Sequence, residues 1–298
     1  MNVRGDLDAA AFLERVQDLL ERDEAANNLM LGLLFRLAKE QPAEQNEPPP
    51  FFAFVECDHS PPVDRPGRIP FVMLMTPPHN MIVYGRGADL DAAIDEAVST
   101  LLREGVLPPG VIGPRDVATA FASAWQHRTG CTLVVRMEQM VYRLDRVEDV
   151  PFSPGGLIQA TPAHVALAAG WLVGFAGVTL EPLEPGEALK RAERIIDEGR
   201  LYLWQDEVPV SMAWRARPTR HGIVVSGVYT PPEYRRHGYA TSCVAALSRL
   251  LLDEGVQFCA LYTDLANPTS NHIYQQIGYR PIQPSIVYGF DPPPGGAA

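Results

Sequence analysis

The chain has 298 residues, 46% of them apolar, and a formal net charge of −11. That length suits about two ordinary domains, each with enough apolar residues for a real core. The acid excess argues against binding nucleic acid or an anionic membrane, which call for a basic face, and it suits a cationic partner better.

Residues 9–37 read as a helix, with Phe12, Val16, Leu19, Leu20, Leu29, Leu33 and Leu34 at helical spacing. Residues 41–50 are polar and proline-rich, hence a loop, and residues 51–57 read as a strand. A proline-rich turn region at 60–67 precedes a strand pair at 69–75 and 81–84. Residues 88–104 are helical, with Asp89 and Asp91 in the first turn, where the helix dipole favours acids. A short strand at 110–112, a helix at 115–128 and a β-rich stretch at 132–144 follow.

Pro151, Pro154, Gly155 and Gly156 cluster in a break at 150–156, where the domain boundary is expected. Beyond it come a strand at 157–160 and helices at 164–179 and 186–198. A hairpin of strands 201–205 and 208–215 turns across Asp206-Glu207. A strand at 223–230, a helix at 239–253, a strand at 258–263, a helix at 269–277 and a strand at 286–290 complete the pattern. The Pro/Gly-rich tail from 291 to 298 reads as disordered. Both halves run helices, three strands, helix, strand, helix, strand. The reading is a tandem of one α/β fold with mixed sheets, residues 1–150 and 151–290. Two unrelated α/β domains are the alternative.

The strongest chemical signal is the strand at 223–230, the turn Pro231-Pro232-Glu233-Tyr234, and then Arg235-Arg236-His237-Gly238-Tyr239-Ala240-Thr241 opening a helix. A helix start offers unpaired N–H groups and a positive dipole end, which together suit a pyrophosphate. Gly238 lets the backbone approach phosphate oxygens without a Cβ in the way. Ala240 keeps the next position small, and Arg235 and Arg236 add attracting charge. Further on, Asn267 and Asn271 precede Tyr274-Gln-Gln-Ile-Gly-Tyr279 on a strand-to-short-helix segment.

These two elements resemble the GNAT superfamily of N-acetyltransferases. The family pattern at the loop is Arg or Gln, two residues, Gly, one residue, then Gly or Ala; Arg235, Gly238 and Ala240 match it. The resemblance is carried by residues 201–290. It implies two GNAT-like domains, the first degenerate, with acetyl-CoA bound in the second. It implies that main-chain groups near Val228, Tyr229 and Thr230 hold the pantetheine arm like an added strand. The amides of Arg236, His237, Gly238, Tyr239, Ala240 and Thr241 would then hold the pyrophosphate, with Asn267 and Asn271 near the pantetheine or phosphates. Tyr274 would point its hydroxyl at the departing sulfur, and a phenol can protonate a thiolate. Some family members carry a Glu on the strand before the loop. Residues 223–230 hold no carboxylate, so the base is unassigned and a water relay through backbone groups is the default. Glu233 reads as structural or capping, and Glu181, Glu184 and the Asp206-Glu207 turn as solvated surface.

In the first half, Tyr84-Gly85-Arg86-Gly87-Ala88 before a helix echoes a phosphate loop but lacks the spacing, and Asp89 and Asp91 would repel phosphate. That copy reads as cofactor-free. Cys57, Cys131, Cys243 and Cys259 form no C-x-x-C pair, and the seven histidines show no metal-ligand spacing. No metal site is expected, and Cys243 and Cys259 read as core. The absence of a secretory signal at 1–10 and of any bilayer-length apolar run points to a cytoplasmic protein. The function expected is an acetyl-CoA-dependent N-acetyltransferase acting on a primary amine, a small molecule or a peptide. No nucleic-acid or membrane partner is expected, and a homodimer is an open alternative. The rivals are an acyltransferase with a longer acyl donor, like glycine N-acyltransferases, and a CoA-binding module without turnover.

Overall fold

The computed structural model describes residues 1–5, 8–39, 48–57, 68–177 and 183–293. It divides into two compact units, Met1–Gln139 with Gln283–Ala298, and Met140–Ile282. Unit 1 runs β1 (Asn2–Arg4), α1 (Ala9–Glu21), α2 (Asn28–Leu37), β2 (Phe51–Cys57), β3 (Arg68–Met75), β4 (Met81–Gly85), α3 (Leu90–Glu104), β5 (Gly110–Pro114), α4 (Arg115–Thr129) and most of β6 (Thr132–Leu144). Unit 2 runs β7 (Gly156–Gln159), α5 (Val165–Ala176), α6 (Pro185–Asp197), β8 (Leu201–Asp206), β9 (Val208–Ala216), β10 (Gly222–Tyr229), α7 (Tyr239–Asp253), β11 (Phe258–Asp264), α8 (Pro268–Ile277) and the first residues of β12 (Arg280–Asp291). The order of elements in unit 1 thus recurs in unit 2, as the sequence pattern predicts.

Strand order in unit 1 is β1-β2-β3-β4-β5-β12-β6, and in unit 2 it is β6-β11-β10-β9-β8-β7. The β4–β5 and β10–β11 pairs are parallel, each bridged by the helix between them, while the other hairpins are antiparallel. Both faces of the unit 1 sheet are buried. Along β3, Phe71, Met73 and Met75 pack under α3 and α4, while Val72 and Leu74 pack under α1 and α2. In unit 2, Tyr202, Trp204 and Val225 meet Cys243, Val244, Leu247 and Leu251 of α7.

The structure departs from the expected elements in several places. Strand β1, which pairs Asn2–Arg4 with Phe54–Glu56, is not among the expected elements. The helix read over 9–37 is two helices, because Asn27 donates to the Leu20 carbonyl (3.0 Å) and Asn28 to the Ala25 carbonyl (2.7 Å). These side chains take carbonyls that a continuous helix would use. The units divide at 139/140 and 282/283 rather than at 150/151. β6 is one unbroken 13-residue strand through the first of these points, and the Pro/Gly cluster at 150–156 is a loop within unit 2. The last strand is longer than predicted and lies mostly in unit 1, where Ser285–Gly289 pairs with Gly110–Pro114. β12 takes in Asp291, and the remainder of the tail from 294 lies outside the described residues, as do 41–47 and 60–67 of the predicted loops. Among the described residues no helix is long and apolar enough to cross a membrane.

Candidate functional site

The site begins where β10 parts from β11. Their parallel pairing runs from Gly222↔Phe258 to Val224↔Ala260, while β10 continues to Tyr229 and β11 to Asp264. A bulge between Ser226 and Tyr229 shifts the register of β10 against β9. Gly227 makes it possible: its φ is +59°, and a Cβ there would overlap the Trp214 ring. Bulges bend the strand that carries them. Over the stretch past Val224 the pairing of β10 with β11 has ended, which leaves a gap in the ladder between the two strand ends. Val228, Tyr229 and Thr230, predicted to line a pantetheine arm, lie on this stretch and are half-buried.

The gap leads to the start of α7. Pro232–Tyr234 forms a 3₁₀ turn, after which Arg235 is extended and Arg236 and Gly238 are both left-handed, with φ of +67° and +78°. Left-handed backbone is costly for a residue with a Cβ, so Arg236 marks a constrained loop. The first intrahelical bond runs from the Ser242 N–H to the Gly238 carbonyl at 3.0 Å. The N–H groups of Tyr239, Ala240 and Thr241 precede it and face outward from the helix end. Arg236 and His237 are exposed. Arg235 is only partly free: its Nε donates to the Thr230 carbonyl at 3.0 Å and ties the loop to the strand end. The His237 ring stacks on Tyr239 (5.7 Å), whose hydroxyl donates to Asp206 Oδ2 at 2.6 Å. That bond raises the Tyr239 phenol above its ordinary value, and it gives Asp206 a partner that the reading as solvated surface did not foresee.

On the far side of the gap, Asn267 caps α8 by accepting from the Ser270 N–H at 3.1 Å. Asn271 is held at both ends. Its Nδ2 donates to the carbonyls of Asp264 (2.9 Å) and Asn267 (2.7 Å), and its Oδ1 accepts from the Tyr142 hydroxyl (3.2 Å). Its side chain is thus engaged in bracing the end of β11 against α8. Tyr274 is buried edge-on against Tyr279 at 6.0 Å, and burial pushes its phenol up to about 12, opposed by a hydrogen bond with Ser270.

Tyr229 faces α5: its ring lies 6.4 Å from Trp171, and its hydroxyl fills the space a side chain at Gly174 would need. Phe175 meets Trp214 edge-on at 5.8 Å. Trp171, Phe175, Trp214 and Tyr229 thus form one apolar wall between α5 and the sheet; 178–182, including Glu181, lie outside the described residues. Glu184, Glu233 and His272 are exposed. Cys243 and Cys259 are fully buried, and burial pushes both thiols up to about 12, which disfavours the reactive thiolate. Among the described residues no group of acidic, histidine and cysteine side chains could hold a metal. The sequence reading missed the Gly227 bulge, the left-handed Arg236, Tyr142 and Ser153. Of these, only a glycine inside a β-branched strand is a recognisable signal.

Residues 203–286 match the family described as FR47-like protein. No curated protein matches the chain at a significant level. Among solved structures, the chain is similar to a GCN5-related N-acetyltransferase from Sphaerobacter thermophilus (15% identity, TM-score 0.60, 100% of this chain and 97% of that one). It is similar to a GNAT-family acetyltransferase from Colwellia psychrerythraea (8% identity, TM-score 0.58, 98% and 100%). It is also similar to a tandem GNAT protein from the clavulanic acid biosynthesis pathway (13% identity, TM-score 0.57, 99% and 100%). The fold is that of the GNAT acetyltransferases. It is present in tandem, and the FR47-like segment lies in unit 2 up to Ile282, its last four residues belonging to unit 1.

Proposed function

We propose that unit 2 binds acetyl-CoA and transfers its acetyl group to a primary amine, of a small molecule or a peptide. The observation that carries this reading is the parting of β10 from β11 after Val224↔Ala260, with the open ends leading to a helix start flanked by Arg235, Arg236 and His237. The main-chain groups of Val228, Tyr229 and Thr230 left over by β11, Arg235 and Ser211 suit the amides of a pantetheine arm, and the N–H groups from Arg236 to Thr241 suit a pyrophosphate. Asn267 and Asn271 brace the far wall. Acetyl-CoA supplies an activated acyl carbon on a thioester. In the transfer a C–N bond forms and the C–S bond breaks. A β10 N–H near Val228 would stabilise the oxyanion, and a water chain along backbone groups would take the amine proton. Tyr274 would return a proton to the leaving sulfur, as a phenol, protonated at neutral pH, can do for a thiolate.

Isothermal titration with acetyl-CoA tests the reading. The expected result is one saturable site per chain, abolished by Gly238→Trp, which cannot keep the left-handed turn and would meet Ser153. No saturable binding, or binding indifferent to that substitution, overturns it. Thiol release with a panel of amines and with acetyl-, propionyl- and benzoyl-CoA separates acetyl transfer from longer acyl donors and from binding without turnover.

A further inference from the structure

The loop at the start of α7 is clamped by a residue 84 positions away in the chain. Ser153, in the loop before β7, donates its hydroxyl to the His237 carbonyl at 2.6 Å. Its own backbone N–H donates to Oγ of the buried Ser242 at 2.8 Å. One residue thus fixes two points of the loop-to-helix junction. Ser153 is itself well seated: Phe152 stacks on Trp204 at 5.8 Å and lies under the Arg249 guanidinium at 5.4 Å, and the Trp204 indole donates to the Pro154 carbonyl at 2.9 Å.

The peptide between His237 and Gly238 is planar, and in a trans peptide the C=O and N–H point in opposite directions. Holding the His237 carbonyl on Ser153 therefore turns the Gly238 N–H to the other side, with the open N–H groups of the first helical turn. The same bond helps offset the cost of the left-handed Arg236 one residue earlier. A Cβ at Gly238 would come within 2.7 Å of Ser153 Oγ, so the glycine is needed for the clamp as well as for close approach of a ligand.

We infer that Ser153 is a positioning residue for pyrophosphate recognition, setting the direction of the Gly238 N–H without touching the ligand. This rests on the proposed CoA reading. The experiment measures CoA and pantetheine binding, and acetyl-CoA kinetics, for the full chain with Ser153→Ala and Ser153→Thr. Ser153→Ala is expected to weaken CoA binding and raise KM for acetyl-CoA about three- to tenfold, the effect of one hydrogen bond, with kcat unchanged. Binding of pantetheine, which lacks the pyrophosphate, should stay as in the unaltered chain, and Ser153→Thr, which keeps a hydroxyl, should restore CoA affinity. CoA affinity unaffected by Ser153→Ala, or equal losses for CoA and pantetheine, overturns the inference. If the unaltered chain does not bind CoA, the parent reading falls and this one falls with it.

Discussion

The two units have the same order of elements and differ at the places where a ligand would sit. In unit 2, β10 carries a bulge at Gly227 and its pairing with β11 stops at Val224. In unit 1, β4 keeps an unbroken register with β3 from Phe71↔Gly85 to Leu74↔Ile82. Its own parallel pairing with β5 stops at Ile82↔Ile112, but the residues beyond stay close: a Cβ on Gly113 would come within 2.5 Å of the Val83 carbonyl. The helix starts differ too. α7 follows Arg235, Arg236 and His237. α3 follows Asp89, which pairs with Arg68 at 3.2 Å, and carries Asp91 in its first turn. The Arg68 guanidinium fills the space beside Gly87. At the strand ends, Tyr84 donates to Asp23 (2.7 Å), while Tyr229 rests on α5. A shared fold therefore does not carry a shared site. One bulge and the sign of the charge at one helix start distinguish the two copies: Arg235, Arg236 and His237 precede α7, whereas Asp89 and Asp91 stand at the start of α3.

Three changes would break or sharpen that contrast. The largest effect is expected from Gly227→Ala, which puts a methyl into the Trp214 ring at a left-handed φ. It should lower stability by about 3 kcal/mol or more, read as a fall in the urea midpoint; an unchanged midpoint would show that the bulge does not depend on glycine. Next, Tyr274→Phe should slow kcat by roughly 100-fold with little change in KM for acetyl-CoA. A rate within twofold of the unaltered chain would remove the phenol from the chemistry.

A third test separates the units by pH. Burial raises Cys243, Cys259 and Tyr274 to about 12, from ordinary values near 9 for the thiols and 10 for the phenol, and raises Tyr279 as well. All four lie in unit 2, whereas Tyr84 is the raised group in unit 1. Below pH 9 both folded and unfolded chains hold these protons. Above it the unfolded chain releases them first, so stability falls as pH rises towards 12. The slope is about 1.4 kcal/mol per pH unit for each group that ionises only when unfolded. Trp171, Trp204 and Trp214 lie in unit 2 and Trp125 in unit 1, so in a Trp125→Phe chain the emission should show a urea midpoint declining between pH 9 and 11. A flat midpoint across that range refutes the assignment.

Much of this was legible in the residues. A short apolar run placed β2 at residues 51–57, and a longer apolar stretch placed α7 at 239–253, because burial writes itself into the sequence. The tandem plan followed from the order of such segments. What escaped was long-range. Nothing local to Asn27 says that it will take the Leu20 carbonyl. The prolines and glycines at 150–156 look like a linker whether or not Ser153 reaches a helix start 84 residues on. Asn271 illustrates the same limit: its position was anticipated, but its engagement with Tyr142 depends on a strand from another part of the chain.

The placement of β12 bears on how the molecule comes to be. The strand that sits between β5 and β6 in unit 1 is encoded after the whole of unit 2. As the chain emerges from the ribosome, unit 2 has all its helices in hand before the sheet of unit 1 can be finished. The common order of synthesis, in which the N-terminal domain folds first and alone, would leave the sheet of unit 1 one strand short, with the flank of β5 uncovered until β12 is made.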